Sequence, residues 1–271
     1  MKKKLIATLI AGAVLSTGII GLTACGGNGI NKGEQVDEAG WKTAITATLG
    51  AKNFTEESHY ENTLKFGGKY NNEDINFTYK YTADGKTYND IDNNSLYGYV
   101  DYKASTNGTV PDDAKEYYKE LEFKAESYIV KDGNTIYEAY YYGESSDAEW
   151  NVEIAPTVSA TGEGISYING QYSTEKNGTL TALSALYDAF TYSNGVYTAT
   201  LYDYSNEINL SIAIKGGYVV GVSVEESYEG EQGDMTMTET EKGVYNYSNY
   251  GDTTVSASDD AKKAVTDYKA N

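Results

Sequence analysis

Ile208-Asn209-Leu210-Ser211-Ile212-Ala213-Ile214-Lys215 runs into Gly216-Gly217, and Tyr218-Val219-Val220-Gly221-Val222-Ser223-Val224 follows. Ile208, Leu210, Ile212 and Ile214 recur at period two, and so do Val220, Val222 and Val224. Period two is the repeat of a strand with one buried face. Two glycines between such runs supply the positive φ angles of a tight hairpin turn. The stretch therefore reads as an antiparallel hairpin, and it sets the pattern for the chain around it.

Outward from this hairpin the same grammar recurs. Asn194-Gly195 is a strong turn, with strands expected over about 196–203 before the hairpin and 235–248 after it. In the N-terminal half, Tyr60, Leu64 and Phe66 fit period two, with Gly67-Gly68 breaking the run. Ile75, Phe77, Tyr79 and Tyr81 alternate with Asn76, Thr78 and Lys80. Asp84-Gly85 predicts a hairpin turn with Thr87 to Ile91 running back, and Leu96 to Tyr102 is a further strand. Residues 112–117 suggest a short helical turn, 119–142 a hairpin about Asp132-Gly133, and Trp150, Val152 and Ile154 a short strand.

Helical spacing appears in two places. Asp37 can cap a helix over about 37–50 that carries Trp41, Ala44, Ile45 and Leu49 on one face. Leu180, Leu183, Leu186, Tyr187 and Phe190 predict a second helix over about 179–190, and Asp259 to Tyr268 a short one in the tail. The expected fold class is α+β, mostly β: an antiparallel sheet with one apolar face covered by the two helices.

Composition narrows the function. There are 40 acidic residues against 21 lysines and no arginine, for a net charge of -19. Such a chain repels nucleic acid and lacks the bidentate clamp that arginine gives for phosphate. The 28 tyrosines suit half-buried strands, and rings left exposed, as at Tyr140-Tyr141-Tyr142, could stack on a glycan or a protein.

The N-terminus has its own pattern. Met1-Lys2-Lys3-Lys4 precedes an uncharged run from Leu5 to Leu22, and Leu22-Thr23-Ala24-Cys25 closes it. Charged head, apolar run and small-residue cleavage site make an export signal. Thr8, Ser16, Thr17 and several glycines weaken the alternative of a membrane-spanning helix. Leu22-Thr23-Ala24-Cys25 resembles the lipobox of bacterial lipoproteins. The resemblance implies a diacylglyceryl group on Cys25, cleavage between Ala24 and Cys25, and display on the outer face of the cell membrane. Residues 1–24 are then the signal peptide and 25–36 the lipidated cysteine with a flexible tether. Residues 37–256 form a single β domain of roughly 220 residues, within the usual domain range, and 257–271 a polar tail. Cys25 is the sole cysteine, so the domain carries no disulfide.

Asn194 to Ala199, the paired strands over 207–227 and the closing Tyr247 to Val255 together resemble the LolA, LppX and LprG group. They also resemble Gram-positive lipoproteins of unassigned role. The resemblance implies a curved half-barrel sheet with helices packed on its concave face around an apolar cavity. It also implies carriage of a hydrophobic ligand such as a lipid. Where that group often places a proline after the last strand, this chain has Ser256-Ala257-Ser258.

No catalytic constellation emerges. His59, the only histidine, has Glu56, Glu57 and Glu61 nearby but no nucleophile motif. No spacing selects a carboxylate pair for glycoside hydrolysis, and Glu225-Glu226 and Asp112-Asp113 read as solvated. No enzyme activity and no cofactor are expected. Asp90, Asp92 and Asn94 place oxygen donors like the start of a calcium loop, but Ser95 and Asp101 stand where Gly and Glu belong. An Asx-rich turn accounts for them as well.

Overall fold

The computed structural model describes residues 29–70, 73–112, 114–143, 149–155, 183–203 and 206–270. The chain order is α1 (Glu38–Gly50), β1 (Asn53–Tyr70), β2 (Glu73–Asp90), β3 (Ser95–Thr109), β4 (Leu121–Asp132), β5 (Thr135–Gly143) and β6 (Asn151–Ala155). It continues with β7 (Thr191–Ser193), β8 (Val196–Asp203), β9 (Asn206–Lys215), β10 (Tyr218–Gln232), β11 (Met235–Ser248) and α2 (Asp259–Ala270). The strands form one open sheet in the order β6-β5-β4-β3-β2-β1-β11-β10-β9-β8-β7. Two antiparallel meanders, β1–β6 and β7–β11, are joined by the β1–β11 pair, which runs from Thr55 opposite Ser248 to Gly68 opposite Met235.

This architecture overturns the expected α+β half-barrel with helices on a concave face. Among the described residues the protein is almost wholly antiparallel sheet with two helices. The ladder registers put those helices on opposite faces. Trp41 and Ile45 of α1 pack on Tyr197, Ile212, Val222 and Tyr247, with Phe54 alongside. Phe54 lies opposite Asn89, so its face is that of Asn89 on β2, and the neighbouring Tyr88 points the other way. Tyr88 lies opposite Tyr97, and Tyr97 opposite Tyr128. Those are the rings covered by Ala261 of α2 and by Ala257 just before it. Each helix covers one end of one face. The sequence pattern misled because tyrosine alternating with apolar residues reads as the wet face, yet here the ring is buried and only the hydroxyl seeks a partner.

The anchoring of α1 follows its expected pattern. Asp37 Oδ1 accepts from Gly40 N at 2.8 Å as the N-cap. Trp41 Nε1 donates to Leu183 O at 3.0 Å, and Thr48 Oγ1 accepts from Val219 N at 2.8 Å. Of the second predicted helix, 179–182 lies outside the described residues. The rest is a turn and one 3₁₀ turn at Tyr187–Ala189, whose neighbours Leu183 and Phe190 still pack against Trp41.

The segment before α1 was expected as a tether. Its described part, 29–36, is fastened to the sheet: Gly33 N donates to Gly195 O at 2.8 Å and Glu34 N to Ile214 O at 2.6 Å. The C-terminal segment, expected as a polar tail, is docked as well. Ala261 and Val265 are buried, Ser258 Oγ accepts from Ala261 N, and Lys269 Nζ reaches Asp132 at 2.8 Å.

Two local expectations fail for backbone reasons. Asp84-Gly85 is not a turn, since β2 passes straight through it and turns only at Ile91–Asn94. Gly85 is there because β3 approaches so closely that a Cβ would sit 2.1 Å from Tyr99 O. Within the deciding hairpin, Gly216 and Gly217 make the turn at φ 59° and 78°. The register then slips between Val219 and Gly221. Val220 is the extra residue of a bulge, and Val219 takes the buried position that alternation assigned to Val220. Gly85→Ala is expected to destabilise the protein by about 1–3 kcal/mol, as for other overpacked interiors, read by urea unfolding. A neutral result would show that β3 can move aside.

Candidate functional site

Among the described residues, a groove with mixed chemistry lies between α2 and the β4–β6 end of the sheet. It encloses about 760 Å³. Its floor comes from alternate residues on three neighbouring strands: Lys124 and Glu126 on β4, Tyr141 on β5 directly opposite Glu126, and Val152 on β6. Trp150, just before β6, tilts against Tyr141 with ring centroids 5.7 Å apart. The wall is one stripe of α2, with Asp260, Lys263, Ala264, Asp267 and Tyr268 at helical spacing. The helix can offer this stripe because Ala261 and Val265, on its adjoining side, hold it to the sheet.

The floor is electrostatically fixed. Glu126 accepts from Tyr97 Oη and from Ser258 Oγ, each at 2.8 Å, and pairs with Lys124 at 2.6 Å. Burial opposes its ionisation, but those three donors and the Lys124 charge outweigh burial and hold its carboxyl below the usual range. Burial most of all, and then Glu126, push the Tyr97 hydroxyl up, against the Ser258 hydrogen bond. Glu126 is therefore a fixed anion in the groove floor. Lys263 pairs with Asp267 on the helix. Three aromatic rings thus stand among fixed charges of both signs.

A second polar cluster lies on the other face, between the two apolar patches. Asn62 on β1 lies opposite Glu241 on β11, and Glu241 lies opposite Glu226 on β10. Asn62 Nδ2 donates to Glu239 at 2.7 Å and to Glu241 at 3.2 Å. Burial first, then the Glu239 charge and a hydrogen bond to it, push the Glu241 carboxyl up to about 8. Burial also raises Glu239, against the hydrogen bonds it receives from Asn62 and Glu241. The two carboxyls thus hold a proton between them above the ordinary carboxylate range. In the sequence the conspicuous acids are adjacent ones such as Glu225-Glu226. The Glu239–Glu241 pair escapes notice there because the two alternate on a strand in a Thr-rich run that reads as solvated.

The other candidate residues are dispersed. His59 Nδ1 lies 3.3 Å from Asp84 Oδ1 in a cross-strand row of charges, and among the described residues no serine or threonine hydroxyl bonds its ring. Asp92 pairs with Lys52 at 2.9 Å and Asp90 accepts from Asn93 at 2.8 Å, while Asn94 closes the turn at φ 52°. Among the described residues no three His, Cys, Asp or Glu side chains are placed to hold a metal ion. Tyr142 is exposed and Tyr140 and Tyr141 are half-buried, so only Tyr141 of that trio enters the groove. Ala24 and Cys25 lie outside the described residues.

No protein-family model matches the chain, and no curated protein does. Among solved structures, the translocator domain of the autotransporter NalP from Neisseria meningitidis is 8% identical, covers 76% of this chain and 92% of its own, and has a TM-score of 0.23. Ail of Yersinia pestis, in complex with the heparin analogue sucrose octasulfate, is 4% identical over 72% of this chain and 99% of its own, at 0.16. A DUF1329 family protein from Desulfovibrio piger is 10% identical over 82% and 95%, at 0.17. Similarities this weak bear on neither fold nor function.

The Glu239–Glu241 pair has a measurable consequence. A carboxyl whose folded pKa is raised stabilises the fold fully below its unfolded value, and that contribution is lost as pH rises through the folded value. Stability is therefore expected to fall between the ordinary carboxylate value of 4.5 and about 8. The loss should be on the order of 1–3 kcal/mol after solvent screening. Glu241→Gln should flatten that limb in urea unfolding across pH. An unchanged profile in the variant would place the proton elsewhere.

Proposed function

We propose that this protein is a lipid-anchored, extracytoplasmic binding module, without catalysis, whose α2 groove takes a carbohydrate. The observation that supports the ligand class is the groove lining. Tyr141, Trp150 and Tyr268 offer ring faces, and Lys124, Glu126, Lys263 and Asp267 offer charged donors and acceptors beside them. A sugar presents an apolar face of C–H groups edged by hydroxyls, so it can stack on a ring and hydrogen-bond to its flanking charges. An acyl chain would instead desolvate those charges without partnering them. The groove chemistry thus favours the glycan over the hydrophobic cargo implied by the lipoprotein-carrier resemblance.

The location rests on the leader and its closing Leu22-Thr23-Ala24-Cys25. In the reaction proposed there, the Cys25 thiol forms a sulfur–carbon bond to the diacylglyceryl group. The donor lipid's carbon–oxygen bond to its headgroup breaks, and the thiol proton leaves with the released headgroup. Water then cleaves the Ala24–Cys25 peptide. Two acyl chains would hold the protein stably at the membrane where one would not.

Two experiments separate location from ligand. In a bacterium that processes lipoproteins, Cys25→Ser should abolish incorporation of labelled palmitate and release the protein from the membrane fraction. Retained label would refute the anchor. The wild-type protein should bind members of a glycan array, and Trp150→Ala should weaken the best of them at least about tenfold by calorimetry, as expected for an aromatic anchor. An array without binders, or binding indifferent to Trp150, would refute the groove as a glycan site.

A further inference from the structure

The floor of the α2 groove does not stop at β4. Trp150 leads into β6 and tilts against Tyr141 on β5. Tyr141 lies opposite Glu126 on β4, Glu126 opposite Tyr99 on β3, and Tyr99 opposite Lys86 on β2. Directly opposite residues point to the same face, so these side chains form one row across the sheet. Lys86 ends the row in an ion pair with Glu57 on β1. Two details place Tyr99 at the mouth of the groove. Lys124, which lines the groove, has its Nζ over the Tyr99 ring at 5.6 Å from the centroid. Tyr99 is also only half-buried, whereas Tyr97 on the same strand is buried beneath Ala257 and Ala261.

From this row we infer that Tyr99 is a second sugar-stacking position, and that the ligand is an internal stretch of a linear, neutral, β-linked glycan laid across the strands. The inference rests on the reading of the α2 groove as a glycan site. Tyr141 and Tyr99 stand two strand intervals apart, roughly 10 Å at the usual spacing. That is close to the two-unit repeat of an extended β-1,4-linked pyranose chain, in which alternate units turn the same face to one side. From β6 to β2 the row crosses four intervals, roughly 19 Å, which spans several units. Such a chain is a flat ribbon that can follow the row, whereas an α-linked chain coils away from it. Glu126 and Lys124 lie between the two ring positions, where the hydroxyls of the intervening unit meet an acceptor and a donor. The sugar takes the place of the Lys124 ammonium over Tyr99, a weak contact at an exposed site, and Lys124 keeps its ion pair with Glu126. Lys86 with Glu57 and Lys124 with Glu126 leave the row without net charge, which suits a neutral chain.

Calorimetry of the full mature chain with cello-oligosaccharides of two to six units tests this. Affinity should rise at least about tenfold from the two-unit to the five-unit sugar and then level off. Tyr99→Ala should abolish that rise. Tyr99→Trp, which keeps a ring, should preserve it, and so should Tyr228→Ala, at an exposed position on β10. Trp150→Ala should weaken every length, because Trp150 lines the groove itself. Equal affinity at all lengths, or a rise that survives Tyr99→Ala, would overturn the second position and leave the groove reading standing. A protein that binds some other glycan through Trp150 but no cello-oligosaccharide would overturn the linear β-linked class alone. Two-unit binding indifferent to Trp150→Ala would overturn both readings. The length dependence needs only the wild-type chain, so it stays decisive if Tyr99→Ala fails to fold.

Discussion

Everything in this fold depends on the pairing of β1 with β11. Each meander is built from near-neighbour hairpins that close short loops at low entropic cost. The β1–β11 ladder instead joins residues far apart in the chain, from Thr55 with Ser248 to Gly68 with Met235. Its closed end is held by a hydrogen-bonded clasp. Asn53 Nδ2 donates to Thr253 O at 3.1 Å, Thr253 N donates to Asn53 Oδ1 at 2.7 Å, and the Thr55 and Thr253 hydroxyls meet at 2.9 Å. Without that seam α1 would lose the β11 part of its platform, because Tyr247 and Phe54 stand on either side of it. The Glu239–Asn62 cluster also straddles the seam, so its integrity and that of the sheet are linked.

What the sequence made legible was local. Strand periodicity located β9, β10 and β11, Gly216-Gly217 located the β9–β10 turn and Asn194-Gly195 the turn before β8, because turn chemistry and alternation are set by neighbours in the chain. The Asp37 cap and the Trp41–Ile45 face located α1 for the same reason. What escaped was set at a distance. Gly85 looked like a turn residue, but its role is to admit the β3 backbone. Val220 fell out of phase through a bulge that only the partner strand reveals. The side of the sheet that each helix covers depends on register over several strands, which alternation within one strand cannot supply. The groove was half visible, through Tyr141 and the strand from Trp150. Its other wall belonged to a segment that reads as a polar tail because only Ala261 and Val265 face inward.

The two faces explain the use of charge. Around β1–β4, on the face that α2 covers further along, cross-strand ion pairs form a row: Lys86 with Glu57, Lys80 with Glu61 and Lys103 with Glu122. Each exposed pair contributes little stability by itself. Together they keep a wide sheet face wetted, and lysines and glutamates there oppose pairing with other sheets. On the opposite face Glu226, Glu239 and Glu241 come together beside apolar strands, and the Glu239–Glu241 pair there holds a proton. The same residue type is thus a solubilising group on one side and a constrained, chemically distinctive one on the other.

Placement of the groove relative to the chain's entry point follows from the sheet order. The chain enters the described structure at Gly29, whose carbonyl accepts from Asn246 on β11, and Asn31 bonds Val220 O on β10. The groove spans β4 to β6. From β10 to β5 is six strand intervals, and at about 4.8 Å each that is roughly 29 Å across the sheet. An attachment at Cys25, four residues before Gly29, would therefore leave from the end of the sheet remote from Trp150 and Tyr141. Because 29–36 is bonded to the β8–β10 end, the domain would not swing freely about its anchor from Gly29 onward. In the proposed anchored form the sheet itself would act as the spacer that carries the groove away from the lipid.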